Sequence, residues 1–460
     1  MQRPSFTQLL AGTTVGVYLL LAVGATAALG DAAAVCGGWP LCAPADGLST
    51  AYGIAVGHRL LAALVGVGVL ATLVMAFRRN ATRRVTLTIA IATLLYPLQI
   101  AGGALVATMG APRALSAGHL LLAVGIFGAL VAGLAWQLEH ETGSDDRPVH
   151  DGTSLGPEIS SMEPQDRVDV PTPGLLAIGG AYFDLMKPRL MWLLSLVAAA
   201  GMALAAGPAL DLETVLFTLS GGVLAIGASG TFNHLLERDI DRRMNRTSDR
   251  PLATDLVSVR NASVFGLGLG GLSLLAFWQI NLLAVGLGLT AIVFYSIVYT
   301  LILKPNTVQN TVLGGAAGAL PALIGWVAVT GEIGVAGVGL AAIVFLWTPA
   351  HFYNLALAYR DDYERGGFPM MPVVRGETVT RKHILYYLGA TLVGAATLGV
   401  LPVLGWVYAL TTVLFGAIFL YAVFRLHHQQ TEAAAFRAFH ASNAYLGMLL
   451  VAIVVDSLAI

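Results

Sequence analysis

Cysteine and charge are what this chain has least of. Two of its 460 residues are cysteine, which excludes a disulfide-stapled scaffold and a multi-cysteine zinc site. Charged residues make up 11% of the chain. Soluble domains carry roughly 25%, so an ordinary water-soluble enzyme is excluded as well. The net charge is −1, and no excess of positive charge points to a nucleic-acid partner.

Apolar length takes the place of charge, at 57% hydrophobic residues. Long apolar runs lie near 8–30, 55–77, 85–108 and 114–137. After a polar gap they resume near 190–207, 213–233, 257–277, 281–303, 310–330, 335–358, 384–403, 407–425 and 440–459. One crossing needs about 20 apolar residues. In lipid the backbone must satisfy its own hydrogen bonds, so each run is expected to be a helix. The pattern predicts an all-α polytopic membrane protein of about thirteen transmembrane helices, a four-helix bundle followed by a nine-helix bundle. The first run is read as a retained span and not a cleaved leader, because the later spans need it for their orientation.

With the N-terminus in the cytoplasm, all of the 25 Lys and Arg except Arg59 and Arg113 fall on the cytoplasmic side. The expected location is the cell membrane, multi-pass, with a cytoplasmic N-terminus. Between Glu139 and Asp169 stand nine acidic residues and two Arg, with Pro, Gly and Ser among them. This composition predicts a flexible cytoplasmic linker. The expected domains are therefore residues 1–140, the linker 141–180, and a second module 181–460.

In the second module, Asn233, Glu237 and Asp241 are spaced i, i+4, i+8. On a helix they form one row of oxygen ligands, as Mg²⁺ takes when it also binds phosphate. Arg242, Arg246 and Arg250 continue at the same interval as phosphate-pairing cations. Asp361 and Asp362 end a later cytoplasm-facing run and are expected on the same membrane face, where they would hold a second Mg²⁺ across a diphosphate. Lys187, Arg189 and Lys304 are further candidate diphosphate binders. The Gly314-Gly315-Ala-Ala-Gly318 cluster suits close helix packing better than a phosphate cradle.

These segments resemble the intramembrane prenyltransferases of the UbiA superfamily, most closely the haem-farnesylating branch, over about residues 180–460. The carrying pieces are Lys187-Pro-Arg189, the run from Asn233 to Arg250-Pro-Leu252, Gly314 to Pro321 with Gly325-Trp326, Trp347-Thr-Pro-Ala-His351-Phe352, and Asp361-Asp362-Tyr363 with Met371-Pro372. Glu237 departs from the Asp of many relatives, and Lys304-Pro from a frequent Lys-Arg. The resemblance implies a UbiA-type bundle that transfers farnesyl from farnesyl diphosphate to haem B with Mg²⁺. It makes His351 a candidate haem contact. The alternatives are a quinone-type aromatic prenyltransferase and a haem carrier without transferase activity.

In the first module, His58 and His119 sit in apolar segments at similar depth, and an ionisable residue in such a place is a functional candidate. Cys36 and Cys42 lie in an outer loop. That compartment favours a disulfide or redox pair, with free or metal-binding thiols as the other readings. Residues 1–140 resemble one four-helix half of haem A synthase in Cys36 to Cys42, His58-Arg59-Leu-Leu, Gln99 to Leu105, and His119-Leu. This implies haem ligation by His58 and His119. The family's catalytic Glu is Ala55 here, which implies haem binding without haem oxidation. A haem A synthase or a terminal oxidase is the expected assembly partner.

Overall fold

A computed structural model describes residues 5–29, 35, 36, 38–40, 42, 49–109, 112–143 and 174–459. Its elements are helices: α1 Phe6–Leu29, α2 Thr50–Arg78, α3 Arg83–Thr108, α4 Arg113–Thr142, α5 Leu175–Leu185, α6 Pro188–Ala206, α7 Leu212–Asp241, α8 Val259–Trp278 and α9 Leu282–Val293. There follow α10 Lys304–Asn306, α11 Asn310–Thr330, α12 Val335–Ala358, α13 Arg360–Arg365, α14 Met371–Val374, α15 Glu377–Leu398, α16 Trp406–Gln429 and α17 Glu432–Ala459. A π-helical stretch, Phe294–Leu303, joins α9 to α10. Among the described residues, twelve helices are long and apolar enough to cross a bilayer. The chain is a multi-pass membrane protein. The thirteenth expected span is α15, which is not among the twelve. Its first two turns carry Glu377, Arg381, Lys382 and His383, which lowers its mean apolar character.

Local signals start the helices where expected. The side chains of Ser49, Thr82, Asp211, Ser258 and Asn281 accept backbone N–H bonds at the starts of α2, α3, α7, α8 and α9. Helix α2 shows how a lipid-facing helix divides its faces. Leu60, Leu64, Val67, Leu70, Val74 and Phe77 recur at helical spacing on the exposed side. Val65, Val69, Thr72 and Ala76 line the buried side. Both faces are apolar, and the smaller residues mark the packed one.

The described chain forms two compact units, residues 1–145 with 381–460, and residues 146–380. In the first unit α1–α4 group with α15–α17, which the sequence reading assigned to the second module. Gln430 Nε2 donates to the Thr142 carbonyl at 2.6 Å, Lys382 pairs with Glu139, and Tyr18 OH lies 3.5 Å from the Thr412 carbonyl. The expected linker, 141–180, lies largely outside the described residues. Helix α4 runs on to Thr142 and α5 begins at Leu175, leaving 144–173 outside the described residues. Helix α5 belongs to the second unit, where Ala181 and Leu185 pack with Leu252, Val257 and Ala262.

Candidate active site

Helix α7 carries the centre of the second unit. Asn233, Glu237 and Asp241 lie one above another on its last three turns, and all three are buried. A buried charge needs a partner, and each of the three has a cation. Lys187 Nζ donates to Asn233 Oδ1. Lys304 Nζ lies 2.6 Å from Glu237 Oε1. Arg250 Nη1 reaches both Asp241 oxygens, at 2.9 and 2.8 Å.

The local backbone explains how these cations arrive. Lys187 stands at the corner between α5 and α6 with φ +57°, left-handed for a non-glycine residue. Gly230, one turn before Asn233, lets that corner approach. A Cβ there would lie 2.9 Å from the Leu185 carbonyl oxygen and 3.2 Å from Lys187 Cγ. Lys187 also donates to Tyr295 OH at 3.1 Å. Burial, followed by Arg250, pulls its ammonium down to about 7, against the opposing pull of Glu237. The π-helical stretch supplies the facing wall. Thr300 Oγ1 accepts from Asn233 Nδ2 at 3.1 Å and donates to the Tyr295 carbonyl at 2.8 Å. Lys304 follows at its end, 4.2 Å from the centre of the Phe368 ring. Tyr295 and Thr300 were not expected from the sequence, because a π-helix shifts the register by which residues share a face.

The arginine stripe is only partly realised. Helix α7 ends at Asp241, so the i+4 spacing does not continue through Arg242, Arg246 and Arg250. Arg242 turns away, donating to the Ala253 carbonyl at 2.8 Å and to Asp255 at 2.7 and 2.8 Å. Arg250 folds back onto Asp241, and Arg246 meets the second acidic segment. The Arg246 guanidinium carbon lies 4.8 Å from the Tyr359 ring centre and 5.1 Å from that of Tyr363. Its Nη2 donates to Tyr363 OH at 3.3 Å. Asp362 is buried and accepts from the backbone N–H groups of Asn245 at 3.3 Å and Arg246 at 3.1 Å. It also pairs with Arg365. Asp361 and Arg189 are exposed.

His351 is buried on α12 and stacks on Trp347, with ring centres 4.3 Å apart and planes 13° from parallel. The glycine cluster serves packing. A Cβ on Gly314 would come within 2.6 Å of the Tyr299 ring, and one on Gly315 within 3.1 Å of Thr348 Cβ.

The second candidate site is in the first unit. His58 on α2 and His119 on α4 are within electrostatic reach of each other. Each keeps a buried Nδ1 without a hydrogen-bond partner, as does Gln99 Oε1. Gln99 Nε2 lies 3.2 Å from His119 Nε2. The His119 ring rests on the Gly102-Gly103 step of α3, where a Gly103 Cβ would lie 3.0 Å from Cε1. Cys36 and Cys42 form a disulfide with Cα atoms 4.8 Å apart. Arg59 ties that loop to α2 by donating to the Gly38 and Pro40 carbonyls, each at 3.0 Å. Ala55 is buried against Cys36, beside Cys42, Ala51 and Ile54. Its position is one of apolar packing.

The sequence profile described as the UbiA prenyltransferase family matches residues 193–448. A protohaem IX farnesyltransferase of Haloarcula marismortui is 65% identical over 460 residues, covering 99% of both chains. One from Saccharopolyspora erythraea is 45% identical and covers 62% of this chain but 92% of its own. Among solved structures, a digeranylgeranylglyceryl phosphate synthase is 16% identical with a TM-score of 0.53, covering 62% of this chain and 99% of that one. The shared fold and the match over more than half of the residues lead to one conclusion: the chain belongs to the UbiA prenyltransferase family.

Proposed function

We propose that the chain transfers the farnesyl group of farnesyl diphosphate to a vinyl group of haem B, producing haem O. The observation that carries this reading is the row of oxygen ligands on α7 with a cation against each member, together with the 65% identity to a protohaem IX farnesyltransferase. Two carboxylates and an amide oxygen suit Mg²⁺, which keeps open positions for phosphate oxygens. Asn233, Glu237 and Asp241 would hold it, and when bound it neutralises the leaving diphosphate. Lys187, Lys304, Arg250 and Arg246 present N–H donors to the diphosphate oxygens. The C–O bond of farnesyl C1 breaks and the electron pair leaves with the diphosphate. The haem vinyl carbon then forms the new C–C bond. Water adds to the resulting cation and releases a proton, which gives the hydroxyethylfarnesyl side chain. Burial of Asn233, Glu237 and Asp241 keeps bulk water from the allylic carbon before haem attacks it. His351, stacked on Trp347, is the candidate haem contact. Arg189 and Arg242 take no part.

Residues 181–460 are the farnesyltransferase in this reading, and 1–140 an added haem-binding module. The unpartnered imidazole nitrogens of His58 and His119 would supply donors to haem iron. Ala55 offers no proton carrier, so this module binds haem without oxidising it. The lysine and arginine bias supports an N-terminus and a diphosphate site on the cytoplasmic face of the cell membrane. A haem A synthase or a terminal oxidase is the partner that receives haem O.

Pigment extraction after expression tests the reading. Haem O is the expected product, and unaltered haem B would mark a carrier instead. Near-wild-type haem O from Asp241→Ala would overturn the metal assignment. For the first module, purified full-length His58→Ala/His119→Ala protein should lose a haem absorption signal that the wild type shows. Haem A formed from haem O by the wild type would refute the inactivity of that module.

A further inference from the structure

We propose that Asp362 is a positioning residue and not a metal ligand, and that it holds Arg246 between Tyr359 and Tyr363 to face the substrate diphosphate. The inference rests on the diphosphate reading given above. An Asp-Asp pair opposite a carboxylate row would ordinarily be assigned a second metal, but the surroundings of these two residues do not fit that role.

Asp361 is exposed on the single-turn helix α13, while Asp362 is buried. A carboxylate offers about four lone-pair positions. Asp362 commits one oxygen to the Asn245 N–H and to Arg365, and the other to the Arg246 N–H. These are consecutive amides of the turn that leaves α7. A cation bound there would compete with the guanidinium and with the two backbone N–H groups for the Asp362 oxygens. Met244 in the same turn is buried among Tyr363, Phe368 and Met370, so the turn is anchored from both sides.

What the turn presents is Arg246. Tyr359 and Tyr363 are four residues apart and lie within 4.8 and 5.1 Å of its guanidinium carbon. A ring face holds a guanidinium through its π-electrons, and the side-chain hydrogen bond of Arg246 runs from Nη2 to Tyr363 OH. The clamp therefore orients the fork and leaves donors for a bidentate anion such as a phosphate. The second acidic segment thus supplies an oriented cation to the diphosphate.

The test uses full-length protein in nanodiscs, with Mn²⁺ as the metal probe read by electron paramagnetic resonance. Farnesyl diphosphate kinetics are measured in parallel. Asp362→Asn should bind Mn²⁺ like the wild type, while Glu237→Gln should bind it at least about tenfold more weakly. Asp362→Asn should raise KM for farnesyl diphosphate about tenfold, because one amide oxygen cannot replace two carboxylate oxygens at the turn. Tyr363→Leu should raise KM in the same way, and Tyr363→Phe, which keeps the ring face, should restore most of the loss. Loss of Mn²⁺ from Asp362→Asn equal to that of Glu237→Gln overturns the proposal, as does an unchanged KM in Tyr363→Leu. If Glu237→Gln leaves Mn²⁺ binding intact, the α7 metal assignment fails, and the KM results still decide the role of Asp362. If Asp362→Asn does not fold, the Tyr363 pair decides it.

Discussion

Arg250 and Lys304 both neutralise the α7 row, but by different geometry. Arg250 makes two bonds to Asp241, at 2.9 and 2.8 Å, and a lysine can supply only one point charge there. A charge-assisted hydrogen bond contributes about 1.5–3 kcal/mol. Arg250→Lys should therefore lower kcat/KM about 10–100-fold with the amount of folded protein unchanged, as read by steady-state kinetics and size-exclusion profiles. Lys304→Met should be the harsher change, because it leaves Glu237 buried without its cation. Breaking such a pair costs about 3–5 kcal/mol. Lys304→Met protein should be less stable, and the double variant Lys304→Met/Glu237→Gln should recover thermal stability without recovering activity. A double variant no more stable than the single would refute the pairing. The row itself was legible from i, i+4 spacing. The identity of each partner was not, because Lys187 and Lys304 lie far from the row in sequence and reach it only through the α5–α6 corner and the π-helical stretch.

Helices α6 and α11 approach each other backbone to backbone. A Cβ on Gly325 would fall 2.0 Å from the Ala198 carbonyl oxygen, and one on Gly201 2.5 Å from that of Ala322. Backbones this close allow only glycine, and neither carbonyl can move without disturbing its helix. Gly325→Ala should cost about 1–3 kcal/mol or more, seen as a lower melting temperature in detergent. Gly286 on α9 has nothing within 4 Å of its Cβ position, and Gly286→Ala should melt like the wild type. Equal melting of the two variants would refute the crossing. The sequence showed that Gly-rich segments pack closely. It did not show which glycines touch which helix, since a pattern such as Gly314-Gly315-Ala-Ala-Gly318 is compatible with several neighbours.

In the whole molecule, the first four helices share a compact unit with the last three. Lys382 pairs with Glu139, Gln430 caps the end of α4 at Thr142, and a Cβ on Gly389 would touch Val131 at 2.9 Å. Cleavage at a protease site placed within residues 144–173 should therefore leave the two fragments together through size-exclusion chromatography in mild detergent. Separation of the fragments would refute the shared unit. The Saccharopolyspora erythraea relative covers 62% of this chain and 92% of its own.

Composition and spacing determined that the chain is a helical membrane protein, roughly where its spans run, which end of α7 carries the polar row, and which motifs it shares with a prenyltransferase family. These properties follow from short-range periodicity and from the cost of leaving backbone groups unpaired in lipid. Three features were decided only by tertiary structure. The last three helices group with the first four, Arg242 turns to Asp255 while Arg250 turns to Asp241, and Asp362 holds a turn. Each depends on contacts between residues far apart in sequence, or on where a helix stops. In an apolar chain both faces of a helix read alike, so its partners are set by which small side chains allow the backbones to meet.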